Sequence, residues 1–244
     1  ASDDIELLDL AGQAGGGRTS LQYLPNTKGQ MTFNLQAADA GSFLRAAGVY
    51  DNMQGGSLVL RGNPVGNNNR DVKGTLDIRD FSVVKAPVLA QLISALSLEG
   101  IGDQLGNKGI SFARLKSKFS WTHSTGHDVM RFSDGRTSGA ALGLTFDGLY
   151  DRKVKKVDIT GTVIPMSELN TFASKIPLIG QILAGGKDKA LFAATYSIKG
   201  PATKPNTLVN PLSVLTPGIF RGLLFEDTPD DPSDTPRVRR QTND

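Results

Sequence analysis

The strongest pattern in the chain is an alternation of apolar and polar residues with a period of two, repeated many times. Met31, Phe33, Leu35 and Ala37 alternate with Gln30, Thr32, Asn34 and Gln36, and Val157, Ile159 and Val163 alternate with Lys156, Asp158, Thr160 and Thr162. Leu142, Leu144, Phe146 and Tyr150 fall on one side, as do Phe192, Ala194, Tyr196 and Ile198. Shorter examples run over Leu58–Leu60, Val72–Ile78, Ala113–Trp121 and Met130–Phe132. Successive side chains of a strand point to opposite faces, so each segment offers one greasy and one wet face. Antiparallel sheets carry that pattern, whereas buried parallel strands read as continuous apolar runs. Ser133-Asp134-Gly135 and Asp147-Gly148 read as turns between strands.

Three segments carry helical spacing instead. Pro87 to Leu96 places Leu89, Leu92, Ile93 and Leu96 on one face, with proline in the first turn. Ser167 can cap a second helix with Leu169, Phe172 and Ala173, which Pro177 ends or kinks. Gly41 to Ala47 is a shorter third, carrying Phe43 and Leu44. The pattern predicts a mainly β fold with inserted helices: a curved antiparallel sheet of roughly eight or more strands. After Phe225 the sequence turns to acids and prolines without aromatics. Such a segment buries too little apolar surface to offset its ordering entropy, so residues 1–225 are read as the domain and 226–244 as a disordered tail.

Composition narrows the chemistry. Without cysteine, a disulfide framework, a thiolate metal site and a cysteine nucleophile are excluded. The net charge of +3 is uneven: Glu226 to Asp244 holds six acidic and three basic residues, so the remainder carries +6. A mild basic excess suits anionic lipid headgroups or nucleic acid, and often serves only solubility. No stretch reaches the roughly 18–20 apolar residues that span a bilayer. The chain starts at Ala1 within apparent strand, so it is expected to be a fragment or processed product with an anchor elsewhere.

Candidate chemical motifs have plainer readings. Gly12 to Thr19 has the glycine spacing of a phosphate-binding loop, but Arg18 stands where lysine would, and Pro25 follows too soon for a helix. A Gly-rich hairpin is the better reading. His123 and His127 lie four apart in a polar, Gly-containing stretch that reads as a solvated loop, and Ser124, His127 and Asp128 gain no triad geometry from proximity in sequence. Asp77, Asp80 and Asp158 read as solvent-face residues with no converging partner. No catalytic residue, cofactor or metal is expected. Arg114, Lys116 and Lys118 share one strand face while Phe119 and Trp121 take the other, so no nucleic-acid partner is expected either.

One segment is more specific than periodicity. Leu208-Val-Asn-Pro-Leu-Ser-Val-Leu-Thr-Pro-Gly-Ile-Phe-Arg-Gly-Leu-Leu-Phe225 resembles the closing motif of AsmA-like C-terminal regions in large bacterial envelope proteins of the YhdP type. Arg136 to Gly148, Gly161 to Thr171, Ile176 to Gly186 and Ala194 to Pro201 are similar to further segments of that family. The resemblance covers about Gly100 to Phe225; before that it rests on strand rhythm and on segments such as Gly74 to Asp80. It implies an open trough with an apolar interior, belonging to a periplasmic part of an inner-membrane-anchored protein that carries phospholipid toward the outer membrane.

The expected partners are then phospholipid, the upstream part of the same polypeptide and other envelope proteins. The groove candidates are Met31, Phe33, Leu35, Leu142, Leu144, Phe146, Val157, Ile159, Phe192, Tyr196 and Ile198. Leu212, Leu215, Ile219, Phe220, Leu223 and Phe225 form a hydrophobic terminal element expected to dock on the groove end or touch a membrane. The alternative is a non-enzymatic envelope scaffold or interaction module whose β core is closed.

Overall fold

The computed structural model of the protein describes residues 7–66, 71–95, 109–124, 126–165 and 191–215. Among these residues it is mainly β. Eleven antiparallel strands form one open sheet in which every strand pairs with its neighbours in sequence, from β1 at one edge to β11 at the other. The strands are β1 (Leu8–Ala14), β2 (Gly17–Pro25), β3 (Met31–Ala37), β4 (Met53–Val65), β5 (Asp71–Val83), β6 (Ile110–Ser124), β7 (His127–Ser138), β8 (Leu142–Asp151), β9 (Lys156–Pro165), β10 (Leu191–Pro201) and β11 (Asn206–Leu215). Two short helices interrupt the meander, α1 (Ala40–Ala46) after β3 and α2 (Pro87–Ala95) after β5.

Local chemistry explains the punctuation. β1 and β2 join through Gly15 and Gly16, whose φ of 59° and 91° suit the tight twist of a two-residue hairpin. The glycine run is therefore the hairpin that its composition predicts. Asp39 caps α1 by accepting from the Ser42 N–H at 2.9 Å, and that bond holds its carboxyl below the usual aspartate value.

Two expected turns are instead strand features. Ser133-Asp134-Gly135 lies inside β7, with Asp134 at φ 52° in a bulge that shifts the register against both β6 and β8. Asp147-Gly148 lies inside β8, where Gly148 opposes Ile159. The helix expected from Ser167, the tail and the end of the closing motif lie outside the described residues.

The core gathers at one end of the sheet. Leu58, Ile78, Phe81, Val83, Ile110, Phe112, Leu142 and Val163 are buried there together with Leu89, Leu92 and Ile93 of α2. Burying each of these side chains contributes roughly 1.5–3 kcal/mol. α1 lies along β4, while α2 reaches β11, five strands beyond β6. Five strand steps in a flat sheet span about 24 Å, well beyond the roughly 13 Å length of a nine-residue helix. The sheet curls around α2.

Candidate functional site

The pairing registers sort the apolar residues into rows that cross the sheet. One row runs Leu8, Tyr23, Phe33, Gly62, Gly74, Phe119, Phe132, Gly148, Ile159 and Ile198. The next runs Leu10, Leu21, Leu35, Leu60 and Leu76 on β1–β5, continuing through Phe146, Gly161, Tyr196 and Val209 on β8–β11. A third holds Ala37, Leu58, Ile78, Leu115, Thr137, Leu144, Val163 and Ala194. Directly opposed residues of antiparallel strands share a face. These rows therefore form one apolar face that extends from edge to edge.

The groove candidates from the sequence are brought together on this face, but they are not equivalent. Met31, Phe33, Leu35, Leu144, Phe146, Val157 and Ile159 are half-buried and open toward the face. Leu142 is fully buried at the α2 end, so it is core and has no surface to offer a ligand. Tyr196 and Ile198 are each 7% exposed. Phe192 keeps its place in the register of β10, and Leu212 and Leu215 lie on β11; the side chains of all three are outside the described residues, as are Ile219, Phe220, Leu223 and Phe225 altogether.

Glycines set the floor of this face. A Cβ on Gly62 would stand 2.7 Å from the Phe33 ring, on Gly135 2.4 Å from the Phe146 ring, and on Gly161 2.7 Å from the Tyr196 hydroxyl. In each case an aromatic side chain reaches over a glycine on the neighbouring strand. Phe33 and Phe119 meet this way at 6.4 Å although β4 and β5 separate their strands, and Phe132 meets Phe146 edge-on at 6.5 Å. Tyr196 spans two strand steps, donating from its hydroxyl to the Thr145 carbonyl at 2.8 Å. Burial, reinforced by Asp147, pushes that phenol well above its ordinary value.

Sequence reasoning missed Leu60, Leu76, Leu115, Phe119, Trp121, Met130 and Phe132 as members of the same face. The signal was present as alternation, but Gly62, Gly74 and the Asp134 bulge interrupt it.

The open end of the face closes in a polar rim where β5 to β8 terminate. Trp121 donates its indole N–H to Asp128, and the Arg152 guanidinium lies 5.1 Å over the same ring and 3.6 Å from Asp128. His123 sits beside Trp121 at 4.6 Å, its backbone N–H donating to Asp71 at 2.7 Å. His127 pairs with Asp151 at 3.3 Å rather than with Ser124. The two histidines thus occupy strand ends, correcting the loop reading. Among the described residues no group of three or more histidines and carboxylates is placed to hold a metal.

The opposite face is polar. Over β8–β11 a shallow cleft of about 550 Å³ is lined by Thr145, Asp147, Thr160, Thr162, Thr195 and Ser197 together with Tyr196, Leu208 and Val209. Compared with protein-family models, curated proteins and solved structures, the chain matches none.

Proposed function

We propose that this chain is the C-terminal part of a periplasm-spanning lipid-transport bridge, holding phospholipid acyl chains along its apolar face for transfer between inner and outer membrane. The observation that carries the reading is the edge-to-edge apolar register, against which α1 and α2 pack mainly at one end. Half-buried Met31, Phe33, Phe146 and Val157 would form the walls of an open trough. Burial of a methylene gains roughly 0.8 kcal/mol without directional demands, so a chain is held yet can slide. The aromatic rings lying over glycines leave few steps for a sliding chain to cross. The work asked of the protein is then binding without catalysis, with the rim of Trp121, His123, Asp128 and Arg152 meeting the headgroup zone.

Lipid extraction and native mass spectrometry of the purified chain test this reading. Co-purifying phospholipid is expected, and Phe146→Asp, placing a charge mid-face, should remove it while the variant remains folded by circular dichroism. A wild-type chain that emerges lipid-free and takes up no added phospholipid defeats the proposal.

A second reading, an envelope scaffold with a closed core, is favoured by one observation: Leu89, Leu92 and Ile93 of α2 are fully packed against the sheet and reach toward β11. The same lipid analysis decides between them.

A further inference from the structure

The polar face is not uniform. Over β8–β10 it carries hydroxyls, with Lys199 engaged by Asp158 at 3.1 Å. Over β4–β7 it carries cations. Register places Arg61 of β4 in one row with Lys118 of β6, and Lys73 of β5 in the adjacent row with Arg131 of β7. All four are exposed, one from each of four successive strands. Further along the strands Lys116 and Arg136 share a row, and Arg79 and Arg114 share another, both bonded to Asp77.

Four acids temper this patch: Asp71 at the start of β5, Asp77, Asp134, which pairs with Lys118 at 2.8 Å, and Asp80 at φ 53° in β5. Eight basic side chains against four acidic ones leave four positive charges. Adjacent rows lie about 7 Å apart and adjacent strands about 4.8 Å apart, so the charges occupy an area rather than a line.

We infer that this face docks the sheet, back down, on an anionic membrane surface through lipid headgroup phosphates. Two observations select a membrane over a nucleic acid. The charges spread in two dimensions, matching a plane of headgroups better than a single polyanionic strand. The aromatics of these strands, Phe119, Trp121 and Phe132, all lie on the opposite, apolar face, leaving no platform on which bases could stack. The excess of cations over β4–β7, against Lys156 and Lys199 beside Asp158 over β9–β10, also separates the patch from charge that serves solubility alone, which would be spread evenly over the sheet. Because the docking face is the reverse of the apolar face, this inference stands without the lipid-conduit reading.

Co-sedimentation with vesicles tests it. The wild-type chain should bind vesicles of phosphatidylcholine containing about a third phosphatidylglycerol at ~0.1 M salt, leave them at ~0.5 M, and ignore pure phosphatidylcholine. Each cation near an anionic surface is worth about fivefold in partitioning. The quadruple variant Arg61→Gln/Lys73→Gln/Lys118→Gln/Arg131→Gln should therefore bind on the order of several-hundred-fold more weakly. Lys153→Gln/Lys155→Gln, in the exposed β8–β9 turn, should keep most of the affinity. All the changes are at exposed positions, and cooperative thermal unfolding at or above the wild-type midpoint shows that the variants fold. Equal binding to neutral and anionic vesicles, retention by the quadruple variant, or tighter binding to duplex or single-stranded DNA than to vesicles at the same salt would each overturn the inference.

Discussion

If the apolar floor depends on rings laid over glycines, then adding one methyl at Gly161 should cost far more than adding it at Gly12. A Cβ at Gly161 would stand 1.9 Å from the Thr145 carbonyl oxygen and 2.7 Å from the Tyr196 hydroxyl, whereas a Cβ at Gly12 meets nothing within 4 Å. The first obstacle is backbone of the paired strand β8, so it cannot swing aside as a side-chain end would. Overpacking of that kind costs typically 1–3 kcal/mol. Displacing Tyr196 also loses its bond to Thr145, worth about 1 kcal/mol. Against this, alanine in place of glycine stabilises by roughly 0.4–1 kcal/mol through the unfolded chain, a gain common to both sites. Gly161→Ala should then be less stable than Gly12→Ala by about 2–4 kcal/mol. Urea unfolding followed by the fluorescence of Trp121, the only tryptophan, measures the difference. With a slope of about 2 kcal/mol/M, the midpoints should part by at least ~1 M. Coincident midpoints would show that ring-over-glycine packing contributes nothing to the fold.

Three further outcomes follow from the same geometry. The Tyr196 phenol is raised in the folded state, so the unfolded chain ionises first, near the ordinary value of 10.0, and stability should fall as pH rises above it; Tyr196→Phe should flatten that alkaline loss in pH-dependent unfolding. Partial burial pushes the Asp77 carboxyl up, but hydrogen bonds from Arg114 and Arg79 outweigh it and hold the group below its ordinary range. Its stabilisation is present above the unfolded aspartate pKa and lost as pH falls through the folded value, so Asp77→Asn should lower stability at neutral pH and lessen its decline in acid unfolding. Trp121, at the mouth of the apolar face, should be quenched by phospholipid brominated on its acyl chains and not by bromide in solution; the reverse order would place lipid elsewhere.

The strands were legible because one face of each is wet, and a period of two then survives in the sequence as in β3 and β9. α2 was legible for the complementary reason: Leu89, Leu92 and Ile93 repeat at helical spacing, since only one side of that helix meets the sheet. The losses share a cause. Gly62, Gly74, Gly148 and Gly161 occupy apolar-face positions, yet a glycine reads as a break in alternation rather than as a place where a neighbouring strand's backbone or, at Gly62 and Gly161, its aromatic side chain comes close. Asp134 takes a left-handed conformation that suits a turn and a bulge equally, and only pairing on both sides of β7 distinguishes them. His123 and His127 sit in a polar stretch that lacks apolar alternation because it forms the rim, where the face gives way to solvent.

The two faces impose opposite demands on the same strands, and β6 shows how they are met. Its apolar side chains Leu115, Phe119 and Trp121 contribute to the curled interior, while Arg114, Lys116 and Lys118 between them crowd like charge onto the back. Cations at every second residue stand about 7 Å apart, and each unscreened pair at that distance costs several tenths of a kcal/mol even in water. Asp77, opposite Lys116 in register and bonded to Arg79 and Arg114, and Asp134, paired with Lys118, relieve part of this repulsion. A chain selected for stability alone would alternate charge sign across β5–β7, as cross-strand pairing favours. The remaining repulsion is the kind that an external anionic surface neutralises. Salt should therefore stabilise the isolated domain by screening, and the quadruple glutamine variant should be less sensitive to added salt than wild type. If salt left wild-type unfolding unchanged between about 0.05 and 0.5 M, the cations would be too far apart or too well paired to form a docking surface.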